Sequence, residues 1–139
     1  MNKIGFYFLL IIAILQGNLM GAIIKHIDIK GVQIPVIFEE QKSLPILNLQ
    51  LVFENSGYIQ DKNKSGLVSL SSKLLNEGTK ELGVTKFAEK LEENAISLTA
   101  SNGFETFVIE LSSLKEQSPK GIELLTALLK SPNYSQNTL

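Results

Sequence analysis

The spacing of apolar residues constrains the fold most, because it changes along the chain from every second residue to every third or fourth. Residues 23–53 alternate apolar and polar side chains, which predicts β-structure. The two arms on either side of Gly31 predict a hairpin with one buried face. The segment LPILNLQLVF, which ends at Phe53, predicts a third strand. The first part of the chain is therefore expected to supply strands.

A helix is predicted after the polar, glycine-punctuated segment 54–66. Its apolar residues recur at helical spacing and are Leu67, Leu70, Leu74 and Leu75. Gly78 is expected to close it as a C′ glycine. The remaining face carries hydroxyl groups and one ammonium group, which we expect to face water: Ser69, Ser71, Ser72 and Lys73.

Two further helices flank a predicted hairpin. The pattern predicts one helix from Thr85 to Asn94, with Thr85 as its N-cap. Another is expected to begin at Ser118, an N-cap followed by proline, and to end at Ser131-Pro132. Between them, Asn102-Gly103 favours a type I′ turn between two extended arms. The order is three strands, two helices, two strands and one helix, which predicts an α+β fold, an antiparallel sheet with helices packed on one face.

Composition excludes several kinds of site within this chain. Lys+Arg 13 against Asp+Glu 14 gives a net charge of −1, so no nucleic-acid partner is expected. All basic residues are lysines, so bidentate guanidinium recognition of phosphate is not available. The chain has no cysteine and a single histidine, His26, so it cannot build a multi-histidine or cysteine zinc site by itself.

Residues 1–22 are typical of a secretory signal peptide. Lys3 precedes the apolar run Ile4–Leu15, which is shorter than the roughly 20 residues of a transmembrane helix. Gly21 and Ala22 offer small residues for cleavage, although Met20 is larger than the site prefers. We therefore expect a periplasmic or exported domain at residues 23–139. The alternative is a membrane anchor formed by an uncleaved leader.

Individual residues predict no catalytic, cofactor-binding or metal-binding site. His26 is interpreted as a surface residue at the start of a strand. Glu39 and Glu40 are adjacent, and neighbouring strand residues point to opposite faces, so a solvated turn is favoured over an acid/base pair. The serines of the first helix have no neighbouring histidine to activate them. Lys73 as the base of a Ser-Lys pair is the less favoured interpretation.

Several short sequence features, called marks below, occur in a fixed order along the chain and together resemble a known family. They are Gly66-Leu67, Gly78-Thr79, the helix 85–94, the hairpin 96–111, the apolar run Leu124–Leu129, and Ser131-Pro132-Asn133-Tyr134. From Gly57 to Tyr134 the chain resembles the N-terminal domain of the insulinase/pitrilysin/mitochondrial-processing-peptidase family of zinc metallopeptidases. The resemblance implies that family's fold, covering part of one domain of a larger unit. We therefore expect a fragment of a longer protein.

The family's chemistry lies between those Gly-Leu and Gly-Thr marks, as an inverted zinc motif, H-x-x-E-H. By resemblance, the two histidine ligands correspond to Ser69 and Lys73, and the glutamate that activates water corresponds to Ser72. The family's third ligand, a glutamate, would fall beyond Leu139. The resemblance thus implies the family fold without zinc or peptidase chemistry.

The resulting hypothesis is a non-catalytic homologue that serves as a partner or scaffold for an active zinc peptidase in the bacterial envelope. Its expected partner is an active metallopeptidase subunit or the remainder of its own protein, and a peptide is the substrate class that the family implies. Membrane contact is expected only through an uncleaved leader. Two alternatives stay open: the front part of a longer active zinc peptidase, or an unrelated exported binding module.

Overall fold

In the computed structural model, residues 21–134 are described, and they divide into two units on either side of the Leu44–Pro45 bond. Almost all of the predicted signal peptide, residues 1–22, lies outside the described residues. Among the described residues, no helix is long and apolar enough to cross a membrane.

The first unit contains the predicted hairpin. Strand β1 (Ile23–Ile29) pairs antiparallel with β2 (Val32–Phe38). Lys30 and Gly31 connect them, both with positive φ (54° and 85°), as a two-residue type I′ turn requires. Asp28 Oδ1 accepts a hydrogen bond from the Gly31 N–H at 3.1 Å, which supports this turn.

The hairpin does not have the buried face that the alternation predicts. Residues paired across the two strands share a face, and one face carries Ile23, Ile27, Ile29, Val32, Ile34, Val36 and Phe38. All of these except the half-buried Val36 are exposed. The physical reason is that two strands provide no second layer of their own against which an apolar face could pack.

The second unit contains a three-stranded antiparallel sheet. Its strands are β3 (Ile46–Glu54), β4 (Ser97–Asn102) and β5 (Thr106–Leu114), in the order β3-β5-β4. The third strand and the later hairpin are thus confirmed.

The predicted type I′ turn at Asn102-Gly103 is wrong, because Asn102 is the last residue of β4 and three residues connect the strands. Backbone bonds from a neighbouring segment hold this longer loop: Tyr58 N–H donates to Gly103 O at 3.1 Å, and Ile59 N–H donates to Phe104 O at 3.0 Å.

Three helices complete this unit: α1 (Leu67–Leu75), α2 (Gly83–Glu93) and α3 (Ser118–Lys130). Their order confirms the predicted α+β fold, with short 3-10 turns added at Tyr58–Gln60 and Lys115–Gln117.

The two predicted N-caps are wrong. Helix α2 already begins at Gly83, so Thr85 lies inside it. The Ser118 hydroxyl donates to Lys115 O at 2.7 Å instead of accepting from a helix N–H. In both cases a preceding turn leads directly into the helix and removes the need for a side-chain cap.

The core lies between the helices and one face of the sheet. It consists of Leu75, Phe87, Ile96, Leu98, Ala100, Ile109, Leu111, Leu124, Leu125 and Leu128. Helices α1 and α2 contact β4, and α3 contacts β5. The opposite face of the sheet is largely polar, as in the neighbouring trio Gln50, Glu110 and Thr99. Helices therefore cover one face of the antiparallel sheet, as predicted.

Candidate functional site

Helix α1 carries the positions of interest, and its orientation differs from the prediction. Ser72 is only 5% exposed, whereas Leu67 and Leu70 are 45% and 42% exposed. Ser69 is half-buried and Lys73 is exposed. The expectation that all the serines face water is therefore wrong: Ser72 lies on the inner side of the helix.

A polar contact between α1 and β4 accounts for this orientation. The Ser72 hydroxyl lies within hydrogen-bonding distance of two acceptors, Asn102 Oδ1 at 2.6 Å and the Ser69 carbonyl oxygen at 2.9 Å. Asn102 Nδ2 is buried and has no partner among the described residues. A small hydroxyl at position 72 lets the helix approach the end of β4 closely and bonds to it there.

Asn76, at the end of α1, makes a second contact with the same strand. Its side-chain amide donates from Nδ2 to Ala100 O at 2.9 Å and accepts at Oδ1 from Ala100 N–H at 2.6 Å. The Asn76 amide thus bonds to both the N–H and the C=O of Ala100, as a residue of a neighbouring strand would. Ser69, Ser72 and Asn76 follow one another at i, i+3 and i+7, so a polar stripe of the helix lies against the strand.

The N-terminus of α1 is held by Asp61. Its Oδ2 accepts from Gly66 N–H at 2.7 Å, and its Oδ1 accepts from Val68 N–H at 2.9 Å. These are unpaired donors of the first helical turn, and a carboxylate is also favoured there by the helix dipole. Asp61 is 9% exposed, so the cap is largely protected from water.

The Gly78-Thr79 mark and the Ser131-Pro132 mark meet in space. Lys80 N–H donates to Ser131 O at 3.0 Å, and Asn133 N–H donates to Gly78 O at 2.8 Å. Gly78 has φ +81°, and an added Cβ would lie 2.7 Å from Phe87 Cβ. Glycine is therefore required where the chain leaves α1 and contacts the end of α3.

Sequence reasoning missed three of these residues: Asn76, Asn102 and Asp61. The available signal for Asn76 was the polar spacing of Ser69, Ser72 and Asn76, which runs beside the leucine stripe. Asp61 lies in a segment interpreted only as a surface loop, and no local pattern connects it with Gly66 and Val68.

The residues at the three motif positions do not fit zinc. Zinc in proteins takes imidazole, thiolate or carboxylate ligands. Ser69 offers a neutral hydroxyl, and Lys73 offers an ammonium group that repels a dication. The Ser72 hydroxyl is already hydrogen-bonded and is not a general base. No step of a metal-assisted reaction can be assigned to these residues.

The remaining candidates are not brought together. His26 is exposed on β1 and is paired with Pro35 across the hairpin. Glu39 and Glu40 follow β2 as exposed residues, and Glu40 lies 3.9 Å from Lys42 Nζ. Within residues 21–134, no group of three or more histidine, cysteine, aspartate or glutamate side chains could hold a metal ion.

The fold is an α+β domain, and the residue at the position that corresponds to the family's catalytic glutamate, Ser72, joins helix α1 to the sheet. Comparison with known protein-family models gives no match. The chain is 43% identical over 132 residues to the non-peptidase homologue YmxG of Helicobacter pylori (strain ATCC 700392 / 26695). The match covers 93% of this chain and 31% of that relative, so the chain spans about a third of the relative's length.

Solved structures show the same fold. An inactive domain of peptidase M16 from Pseudomonas fluorescens superposes with a TM-score of 0.71 at 23% identity, over 83% of this chain and 28% of that one. A protease from Helicobacter pylori superposes with a TM-score of 0.68 at 18% identity, over 84% and 28%. The predicted resemblance is confirmed: the chain is similar in sequence to a non-peptidase homologue and has the fold of an inactive domain of peptidase M16.

Proposed function

We propose that the chain is a partner or scaffold subunit for an active zinc metallopeptidase in the bacterial envelope. The observation that carries the proposal is the buried Ser72, which uses the position of the family's catalytic glutamate to join α1 to β4. Helix α1 keeps its packing against the sheet but has no zinc ligands at the motif positions. We expect this of a protein that acts by binding a partner and not by catalysis.

An exposed apolar patch supports such a role. Leu67 and Leu70 project from α1 at 45% and 42% exposure, and the neighbouring 3-10 turn exposes Tyr58 and Ile59 at 46% and 47%. Phe104, whose backbone is bonded to that turn, is 66% exposed. We name these five residues the α1 patch. Neighbouring exposed apolar residues of this kind are typical of protein–protein contact surfaces.

The experiment is co-expression of the full chain with a zinc peptidase from the same cell that carries an intact H-x-x-E-H motif. We expect a stable complex and a higher kcat/KM for peptide cleavage than the peptidase has alone. Leu70→Asp should abolish both effects, because it places a charge in the α1 patch. Val84→Asp is the matched control, since Val84 is 44% exposed on α2, outside the patch.

Two results would refute this role. One is a purified chain that contains stoichiometric zinc and cleaves peptides until a chelator is added. The other is a peptidase whose kcat/KM does not change when the chain is present, or changes equally with Leu70→Asp and Val84→Asp.

The alternative role, as part of a longer working peptidase, is favoured by one observation: the chain spans only 31% of its relative. Sequencing the adjoining coding region distinguishes the two roles, because the alternative needs an H-x-x-E-H motif in the same reading frame.

The envelope location rests on residues 1–22 and is tested separately. Periplasmic protein whose N-terminus, by mass spectrometry, lies at Ile23 supports cleavage. Membrane-bound protein that retains Met1 supports the anchor, and cytoplasmic protein that retains Met1 contradicts both.

A further inference from the structure

The loop that leads into α1 contains an acceptor sequence for N-linked glycosylation. Asn63, Lys64 and Ser65 have the form N-x-S, and the middle residue is not proline. Asp61 lies two positions before Asn63, and bacterial oligosaccharyltransferases select acceptors that carry an acidic residue there. The stretch Asp-Lys-Asn-Lys-Ser therefore has each residue that this class of enzyme recognises.

The structure places the acceptor asparagine at the surface. Residues 62–67 are all exposed, Asn63 among them. The loop is held by bonds from Asp61, whose side chain binds the start of α1 and whose C=O accepts from Lys64 N–H at 2.7 Å. None of these bonds uses the Asn63 side chain. Space beside the loop is also open, because a Cβ added at Gly66 would have no atom within 4 Å. An oligosaccharide on Asn63 can therefore extend into solvent.

A second N-x-S sequence, which begins at Asn133, provides a contrast within the same chain. The residue two positions before it is Ser131, which is not acidic. Asn133 is half-buried, its N–H donates to Gly78 O at 2.8 Å, and its Nδ2 lies 3.4 Å from Glu77 O. The backbone and side chain of Asn133 thus take part in the contact between the ends of α1 and α3. We expect this second sequence to stay unmodified.

The folded loop uses the same carboxylate that the enzyme would recognise. Asp61 is 9% exposed, and its two oxygens accept from the N–H groups of Gly66 and Val68. A transferase that binds Asp61 therefore needs the helix cap to be open. A chain exported with a secretory signal peptide crosses the membrane before it folds, so the acceptor is accessible at that stage. Transfer then precedes formation of the cap, and the exposed Asn63 keeps its oligosaccharide after folding.

We propose that Asn63 is N-glycosylated by a bacterial oligosaccharyltransferase while the chain enters the periplasm. The co-substrate is an oligosaccharide carried on a polyprenyl pyrophosphate. Asn63 Nδ2 forms a bond to the anomeric carbon of the oligosaccharide and loses one proton to a base. The bond from that carbon to the phosphate oxygen breaks, and the polyprenyl pyrophosphate leaves with the electron pair. The inference rests on the envelope location in the proposed function and is independent of the role as a peptidase partner.

The test is production of the full chain in a bacterial host that has an oligosaccharyltransferase and its lipid-linked oligosaccharide. The same host without the enzyme is the control. Mass spectrometry of the digested periplasmic protein should find the oligosaccharide on the peptide that contains Asn63, and only in the host with the enzyme. A second version of the chain carries the leader of an established periplasmic protein in place of residues 1–22, so that failure of export and failure of the acceptor are separated.

Three loop residues supply the variants. Asn63→Gln and Ser65→Ala should each abolish the modification, whereas Ser65→Thr should retain it, because N-x-T is also an acceptor sequence. All three changes are at exposed positions outside the core. Asp61→Ala should also abolish it. Because this change removes the helix cap and opens the loop, a loss of oligosaccharide cannot result from poorer access to Asn63.

The results distinguish the acceptor from the location. Oligosaccharide on Asn63 that is lost in Ser65→Ala and retained in Ser65→Thr supports the proposal. Unmodified Asn63 in periplasmic protein made with the replacement leader overturns it. Equal modification of Asn133 and Asn63 also overturns it, because neither Asp61 nor exposure would then select the site. Modification with the replacement leader but not with residues 1–22 supports Asn63 as the acceptor and refutes the envelope location.

Discussion

Replacing Asn76 with alanine tests whether the amide contact with β4 stabilises the domain. The change removes two hydrogen bonds, at 2.9 and 2.6 Å, and leaves both backbone groups of the 6% exposed Ala100 without them. Each bond contributes about 1 kcal/mol net, and unpaired buried groups cost about 1–3 kcal/mol. Because Asn76 is itself exposed, water can replace part of the loss. We therefore expect a decrease of about 2 kcal/mol in the free energy of unfolding.

The assay is urea unfolding followed by circular dichroism, with thermal unfolding as a second measurement. A loss of about 2 kcal/mol corresponds to a fall in Tm of roughly 8–16 °C for a domain of this size. Asn94→Ala is the control, because Asn94 also follows a helix but donates only to Lys90 O at 2.8 Å, in an exposed position. It should change stability by less than about 0.5 kcal/mol. Equal losses for the two variants would refute the reasoning.

The remaining predictions concern the same helix and its ends. Gly78→Ala should lower the free energy of unfolding by about 3 kcal/mol, because φ is +81° and the new Cβ meets packed atoms. Gly66→Ala is the comparison, because φ is +87° but the space around the new Cβ is open. It should lower the free energy of unfolding by about 1 kcal/mol in the same denaturation assay. Asp61→Ala should cost about 1–2 kcal/mol through loss of the helix cap, and a change below about 0.5 kcal/mol would contradict the cap. Ser69→His/Lys73→His should bind Zn2+ measurably in calorimetry, since imidazoles four residues apart share a helical face, whereas the parent chain should show no titratable site.

Local sequence patterns predicted the order of strands and helices and the sheet covered by helices on one face. They could do so because each element has its own spacing of apolar residues and its own residues that end it. The strand predicted to end at Phe53, which the structure ends at Glu54, and the helix ending before Gly78 are cases where propensity, patterning and turn chemistry agree. The inner face of α1 could not be predicted, because it depends on Ala100 and Asn102, more than twenty residues downstream. The resemblance assigned Ser72 to a motif position, and only the packing shows that Ser72 is buried.

The identity of residue 72 is coupled to how α1 packs. In a catalytic helix, the residue at position 72 must remain available to a water molecule. Here that residue is 5% exposed and hydrogen-bonded, so a carboxylate in its place would have to be buried beside Asn102. Burial of an ionised carboxylate without a fully satisfied set of partners costs several kcal/mol. A glutamate at position 72 would therefore compete with the contact that joins the helix to the sheet, whereas a histidine in place of the exposed Lys73 would leave that contact in place.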